Sequence, residues 1–490
     1  MEHFVTSKLS RRDRRRGATQ AAKLQSRIAR AEAEGKGRKA RSLRRLFARS
    51  YSVALGLTMK EMARQNARQR RPVFTKSDSQ IDCNALQRGL VGEIWFDEEL
   101  GKSEVFIPRF ADDEMISADI VQVRPPSGRR HRRPWRNKDA RRKATSIQLG
   151  HAPGDRYTVF AVKKSSGGIR PVHAYGVTDR VRQRLLLMAY GDRLPINENI
   201  YSARGKGGRP AALSEVVRRI DAGAKWAAVL DIKNFFGTAD RGWLMRKLPM
   251  PKAYIRSTIL QEDTSELEGR FMRDGTGIAR TRARLIIEDQ MSAQDVHDLL
   301  FKSQAGLPQG AATSATLASH IVTDAMKMMK LPCGVFLIVY ADDMLLLGDK
   351  KADVEKALLT LSGTFSSHPG GPFELHEQRL RRASDGFDFL GMSFRRRRRH
   401  VDCVPDADAL KKAQKRIISA ALECIELGQT VALERSVAGV MASFTPWRAR
   451  LNWLWHLLNQ LKPVFPELHE CLGAVYASLR AAAQTELSSM

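Results

Sequence analysis

Residues 334–348 read Gly-Val-Phe-Leu-Ile-Val-Tyr-Ala-Asp-Asp-Met-Leu-Leu-Leu-Gly. Two apolar runs flank one acidic pair. Each run predicts a short buried strand, and Ala341-Asp342-Asp343 predicts the tight turn between them. Asp favours turns, so an ordinary hairpin with a polar tip accounts for either acid alone. It explains poorly two adjacent carboxylates between strands this apolar, where like charges repel and desolvation is costly. A bound divalent cation removes that cost.

A third carboxylate lies upstream. Residues 225–240 read Lys-Trp-Ala-Ala-Val-Leu-Asp-Ile-Lys-Asn-Phe-Phe-Gly-Thr-Ala-Asp. Trp226 to Leu230 predicts a buried strand with Asp231 at its end. An acid there, beside an acidic hairpin, suits a two-metal phosphoryl-transfer site. The alternative is that Asp231 caps the next helix. Between the acids lies Ala305-Gly-Leu-Pro-Gln-Gly-Ala-Ala-Thr-Ser, a Gly/Pro loop before an apolar helical stretch.

Together, Asp231-Ile-Lys-Asn-Phe-Phe236, Leu307-Pro-Gln-Gly310 and Tyr340-Ala-Asp-Asp343 resemble the three central palm motifs of reverse transcriptases, in that family's order. Gly167-Gly-Ile-Arg-Pro171 with Asp179-Arg-Val-Arg-Gln183 resembles the fingers motif of group II intron and retron enzymes. Phe387-Asp-Phe-Leu-Gly391 resembles the primer grip, and Leu24 to Arg71 is loosely similar to the intron enzymes' N-terminal extension.

The resemblance implies an α+β right-hand polymerase. A basic helical extension covers 1–72, fingers 73–220, a palm 221–395 with an insertion at about 250–303, and a helical thumb 396–490. It implies two Mg²⁺ ions on Asp231, Asp342, Asp343 and the Ile232 carbonyl. Lys163, Arg170, Phe236, Gln309 and Tyr340 would meet the incoming nucleotide. Arg170 would grip its triphosphate, which planar Arg donors suit. Gln309 would line the base-pair pocket, and Phe236 would lie under the sugar and exclude a 2′-hydroxyl.

Charge points the same way. The chain of 490 residues carries a formal net charge of +30, a field that suits a polyanion such as nucleic acid. Residues 1–72 hold 21 Lys+Arg against 5 Asp+Glu. Helices are predicted over 18–33 and 39–69, with Leu43, Leu46, Phe47 and Tyr51 as an apolar face. Arg12, Arg15, Arg44 and Arg45 are expected on RNA phosphates. Nine Lys+Arg surround Trp135 in residues 128–143, either a stacking site or a basic loop. Arg395 and Arg397, in a run of five arginines, are expected on the nucleic-acid backbone too. Arg204 and Arg209 sit where the family has its next fingers motif, and extra glycines depart from that pattern. Arg379 stands where a Lys is common, and an always-charged Arg is a poor proton donor.

Helices are predicted over 179–190, 351–361, 407–427 and 433–461, with the tryptophans of the last expected in the core. The insertion reads as charged and helical. No apolar run is long enough to span a membrane, and no secretory signal appears. Five cysteines without a C-x-x-C pair favour a reducing compartment, the cytoplasm, and speak against a zinc site. No nuclease constellation follows the thumb, and the Val-Thr-Gly thumb motif of retron enzymes is absent.

The layout is therefore most similar to stand-alone bacterial reverse transcriptases. The resemblance implies a structured non-coding RNA template, dNTPs, a DNA product and a part in antiphage defence. A group II intron maturase and a non-catalytic RNA-binding scaffold are the alternatives. Primer and oligomeric state stay open.

Overall fold

The apolar runs around the acids form the sheet on which the molecule is built. The structure, a computed structural model, describes residues 9–69, 90–97, 103–110, 134–150, 157–163, 169–261, 283–286, 302, 305–377, 380–398, 400–427, 430–462 and 466–488.

The chain begins with α1 (Arg11–Ala33), α2 (Gly37–Ala48) and α3 (Tyr51–Gln69). In α1 the buried residues Ala21, Leu24, Ile28 and Ala31 recur at helical spacing, so one stripe is apolar and the rest is charged. The single helix expected over 39–69 is two, broken at Arg49-Ser50. Across that break Leu43 and Phe47 stay buried, whereas Leu46 and Tyr51 are exposed and do not join the apolar face.

The hairpin β1 (Leu90–Asp97) and β2 (Ser103–Phe110) follows, then α4 (Asn137–Thr145). Next, β3 (Tyr157–Lys163) and β4 (Ile169–Ala174) pair antiparallel, and α5 (Val177–Tyr190) packs against α2 and α3. Two ion clusters, each centred on one buried residue, fasten the N-terminal helices to α5 and the turn after it. Glu61 is 2% exposed and meets Arg184 at 2.5 Å and Arg180 at 3.5 Å. Arg44 is also 2% exposed and reaches Asp192 and Glu32, each at 2.6 Å.

After α6 (Gly208–Asp221) comes β5 (Trp226–Ile232), then the short helices α7 (Phe235–Thr238) and α8 (Arg241–Lys247). Of the expected helical insertion, Lys252–Tyr254 and Ile255–Leu260 are helical, but β6 (Ala283–Ile286) is a strand. It pairs parallel with β3, so this stretch extends the β3–β4 sheet. The remainder of the insertion lies outside the described residues.

Then come α9 (Ser314–Lys327), β7 (Val335–Tyr340), β8 (Asp343–Gly348), α10 (Lys351–Ser367), β9 (Leu375–Glu377) and β10 (Arg381–Arg382). The central sheet runs β10-β5-β8-β7, with β9 also on β5, and all its named pairs are antiparallel. Both of its faces are covered, which is why these strands read as unbroken apolar runs. Ala228, Leu230, Ile232, Met344 and Leu346 join a core shared with α5, α9 and α10. Their alternates Ala227, Val229, Leu345 and Leu347 join a second core with α6 and the C-terminal elements.

Those elements are a three-stranded sheet, β11 (Phe387–Phe389), β12 (Met392–Arg396) and β13 (Val401–Pro405), and four helices. The helices are α11 (Ala407–Leu427), α12 (Thr430–Ser443), α13 (Arg450–Leu461) and α14 (Pro466–Ser488). The expected helix over 433–461 is broken at Thr445-Pro446, because Pro offers no N–H to continue the ladder. Trp447 and Trp453 are buried, as expected of core residues, whereas Trp455 is exposed and tilts against Tyr476.

The fold mixes helix and sheet, as the α+β expectation has it. No helix among the described residues is long and apolar enough to cross a membrane.

Candidate active site

Sheet register brings the acids to one place. Asp231 pairs with Asp343 across β5 and β8, and Tyr340 pairs with Asp343 across β7 and β8. Alternation puts Asp231, Asp343 and Tyr340 on the face that carries the second core, beneath α6 and the β11–β12 hairpin. Asp231 lies within its strand rather than capping a helix, since Asn234 precedes α7. The turn itself is only Ala341-Asp342, and Asp343 already belongs to β8.

That turn is held under tension. Ala341 has φ +58°, a left-handed conformation that a two-residue hairpin usually gives to glycine. Its N–H donates to Ser202 Oγ at 3.0 Å. The Asp342 carbonyl accepts the Ile232 N–H at 3.1 Å, so the turn is also tied to β5.

Burial raises the Asp343 carboxyl to about 6, with the negative charges of Asp342 and then Asp231 adding to it. Among the described residues no three His, Cys, Asp or Glu groups converge into a ready-made metal-ligand set. The three acids thus share one field without sharing one ligand point.

The Leu307-Pro-Gln-Gly310 loop is wedged between α7 and β4. Its Leu307 N–H donates to the Phe236 carbonyl at 2.7 Å, and the Gln309 carbonyl accepts the His173 N–H at 2.7 Å. Gly306 has φ +58°, and a Cβ there would fall 1.9 Å from the Phe236 oxygen. Gly310 has φ +97°, and its Cβ would fall 2.4 Å from the His173 oxygen. Only glycine allows both approaches. Gln309 is thereby held half-buried beside β4.

Phe235 and Phe236 are not extended as alternation from β5 would have them. They open α7, with Phe235 buried edge-on against Phe373 and Phe236 half-buried beside the loop. In the fingers, Arg170 is exposed on β4 opposite Val162. Only the backbone of Lys163 is described, as the end of β3 opposite Ile169. Lys164, Arg379 and Arg399 lie outside the described residues.

The basic residues divide. Arg12, Arg15 and Arg45 are exposed on the N-terminal helices. Arg44 is not available to nucleic acid. Its guanidinium is consumed by Asp192, Glu32 and the Ala189 carbonyl. Burial works to lower its pKa, but the hydrogen bonds and charges of the two acids outweigh it, and the net shift is upward. Trp135 is no stacking platform either. It is pinned to α3 by Gln65 and Asn66. Arg395 is exposed on β12, whereas Arg397 is paired with Asp402 at 2.6 Å.

A groove of about 1290 Å³ runs between α1, α3 and α5. Arg11, Arg15, Lys60, Arg64, Arg204 and Lys206 line it over a floor that includes Ala21, Ile28, Leu57 and Met188. Ser202, the residue that holds the acidic turn, lines it too. This groove was hidden in the sequence, because those six cations come from three separate segments. Arg209, in the stretch that sits where the family has its next fingers motif, is bound within the protein. Its Nε and Nη2 donate to the Leu390 carbonyl at 2.9 and 2.7 Å, and Nη1 donates to the Ser443 carbonyl at 2.7 Å.

Residues 162–394 match the family described as reverse transcriptase (RNA-dependent DNA polymerase). The chain is 24% identical over 264 residues to the retron Mx65 reverse transcriptase of Myxococcus xanthus, a stretch covering 50% of this chain and 55% of that protein. The chain thus spans about half the length of the curated relative it matches. Among solved structures, telomerase from Candida albicans in complex with a fragment of telomeric RNA has a TM-score of 0.29 at 11% identity, over 69% of this chain and 67% of the other. The RNA-dependent RNA polymerase of a human picorbirnavirus has a TM-score of 0.30 at 10% identity, over 64% and 57%. Correspondences this loose assign no residue. The stretch between the basic N-terminal helices and the C-terminal helical bundle is therefore the part of the chain that is similar to reverse transcriptases.

Proposed function

We propose that the chain is an RNA-directed DNA polymerase that extends a primer 3′-hydroxyl with dNTPs, and that Asp231, Asp342 and Asp343 hold two Mg²⁺ ions. The observation that carries this is the register pairing of Asp231 with Asp343 next to a turn that presents Asp342. Burial first, and then the two further acids, hold the Asp343 carboxyl near 6, a cost that a bound cation would relieve. An all-oxygen donor set that includes the Ile232 carbonyl suits Mg²⁺. When bound, such ions activate the hydroxyl and neutralise charge on the triphosphate.

The chain's own residues do the rest. Arg170 and Lys163 receive the triphosphate from the fingers strands. Gln309, clamped through its carbonyl to His173, lines the base-pair pocket. Tyr340 shares the face of Asp231 and Asp343, and Phe236 leaves no room for a 2′-hydroxyl. The groove guides single-stranded template towards the acids. Its cations meet phosphates, and its floor is apolar. The template we assign is a structured non-coding RNA and the setting antiphage defence, in line with the likeness to a retron enzyme.

Primer extension with dNTPs and Mg²⁺ on an RNA template tests the reading, beside the double variant Asp342→Ala/Asp343→Ala. Synthesis by the parent and none by the variant is expected. Undiminished synthesis by the variant overturns the metal assignment. A parent that incorporates nothing on any template–primer overturns the polymerase.

A further inference from the structure

Two hairpin turns at the site carry a non-glycine residue in the left-handed region. One is Ala341, φ +58°, beside the acids. The other is Leu390, φ +51°, in the Leu390-Gly391 turn that joins β11 to β12, the primer-grip hairpin. Left-handed alanine and leucine each cost on the order of 1 kcal/mol or more, so each turn persists because its surroundings hold it.

One segment holds both. Tyr201 donates its N–H to the Val339 carbonyl at 2.9 Å, which fixes the segment to the edge of β7. Ser202 Oγ then accepts the Ala341 N–H. The chain turns through Gly205, Gly207 and Gly208, all with positive φ, and reaches Arg209 in the first turn of α6. Two guanidinium N–H groups converge on the Leu390 carbonyl. The third bond goes to the Ser443 carbonyl, the end of α12, where a helix leaves its carbonyls without intrahelical partners. A cation at that end also complements the helix dipole. The guanidinium sits 5.4 Å from the centre of the Phe444 ring. Arg209 therefore grips the primer-grip turn and a thumb helix at once, through backbone oxygens whose positions depend on geometry alone.

We propose that Ser202–Arg209 is a positioning strut, in which Ser202 sets the turn bearing the acids while Arg209 sets the primer-grip turn and thumb against the same frame. Neither residue touches the reacting atoms. The role in synthesis rests on the polymerase reading above, whereas the mechanical coupling does not. The strut fixes the distance between the acids and the primer terminus. Misplacement by about 1 Å can cost up to a hundredfold in rate.

The test uses the full chain with Arg209→Ala, Arg209→Lys and Ser202→Ala. Hydrogen exchange reads the mechanics without any activity. Arg209→Ala should speed exchange in residues 387–394 and in 440–450 together, and leave 335–348 unchanged. Ser202→Ala should do the reverse. Primer extension reads the function. Arg209→Ala should raise the KM for primer–template and shorten the product made per binding event, both by about tenfold. The KM for dNTP should stay as in the parent. Arg209→Lys, which can keep one bond, should restore part of the length. A role in folding alone would lower the active fraction and leave both KM values and the product length unchanged, and that result overturns the proposal. Exchange that rises in only one of the two Arg209 segments overturns the coupling. A parent with no synthesis overturns the polymerase reading instead, and the exchange data still decide the strut.

Discussion

Asp231 and Asp343 face each other as register partners across β5 and β8, and burial with the neighbouring negative charges raises Asp343 to about 6. Burial of that carboxyl, with Asp342 and then Asp231 close by, is a strain that the metal-free protein carries.

That strain makes stability depend on pH. The folded protein binds the Asp343 proton more tightly than the unfolded chain does. Its stability therefore falls as pH rises from about 4 through about 6, and is level above. Asp343→Asn should raise the neutral-pH stability of the metal-free protein by roughly 2–3 kcal/mol, an upper figure for a group still in part solvated. The gain should vanish below pH 4. Denaturant melts of both proteins at pH 3.5 and 7.5 check it, and an equal gain at both pH values would contradict the assigned cause. Added Mg²⁺ should stabilise the parent at pH 7.5 and not the variant.

Arg44 and Arg45 are neighbours with opposite fates. Arg44→Met leaves Asp192 and Glu32 without their cation and removes a guanidinium that is 2% exposed. A loss of about 1–3 kcal/mol is expected, mostly from the Ala189 carbonyl left without its donor, because the two acids stay about half exposed to water. Arg45→Met should change stability by less than about 0.5 kcal/mol. Urea midpoints measured side by side decide this.

Charge in the groove should be read by salt. Removing the first 70 residues would also expose the core under Leu24, Phe47, Met59 and Met62, so point substitutions are the cleaner probe. Lys60→Gln, Arg64→Gln and Arg204→Gln together should weaken single-stranded RNA binding. They should also flatten the slope of log affinity against log salt by about 0.7 for each phosphate no longer neutralised. An unchanged slope moves the template path elsewhere.

Phe235 and Phe236 should separate stability from sugar choice. Phe235 is 2% exposed, and Phe235→Ala should cost about 3–5 kcal/mol. Phe236→Ala should cost less and admit ribonucleotides. Incorporation of rNTP against dNTP by parent and both variants checks it. A Phe236→Ala enzyme as selective as its parent would refute the gate.

Two glycines with positive φ should respond differently to alanine. Gly334 has φ +82° with open space around it, so Gly334→Ala should cost about 1–2 kcal/mol of backbone strain alone. Gly306→Ala adds a collision with the Phe236 carbonyl and should disrupt both stability and synthesis. Comparable melting points for the two variants would mean that the loop yields.

The chain's local chemistry was legible without coordinates. Apolar runs around Asp231 and around Asp342-Asp343 fix strands, because both faces of those strands must be buried. The Ala-, Leu- and Arg-rich stretch 18–33 reads as a helix, and packing then selects Ala21, Leu24, Ile28 and Ala31 as its buried stripe. The family motifs fix the order of the palm, and the helical C-terminal region follows from periodicity. What only the tertiary structure decided is which polar groups face one another. Arg44 and Arg45 are adjacent and equally basic in sequence, and burial against Asp192 separates them. Arg209 reads as one more fingers cation until Leu390 and Ser443, 181 and 234 residues further on, close around it. The groove likewise draws Arg11, Arg15, Lys60, Arg64, Arg204 and Lys206 from three segments brought together by packing. Local hydrophobic pattern depends on neighbours in the chain and can be read from them. Pairing of charge with charge or with carbonyl depends on neighbours in space, and folding alone supplies those.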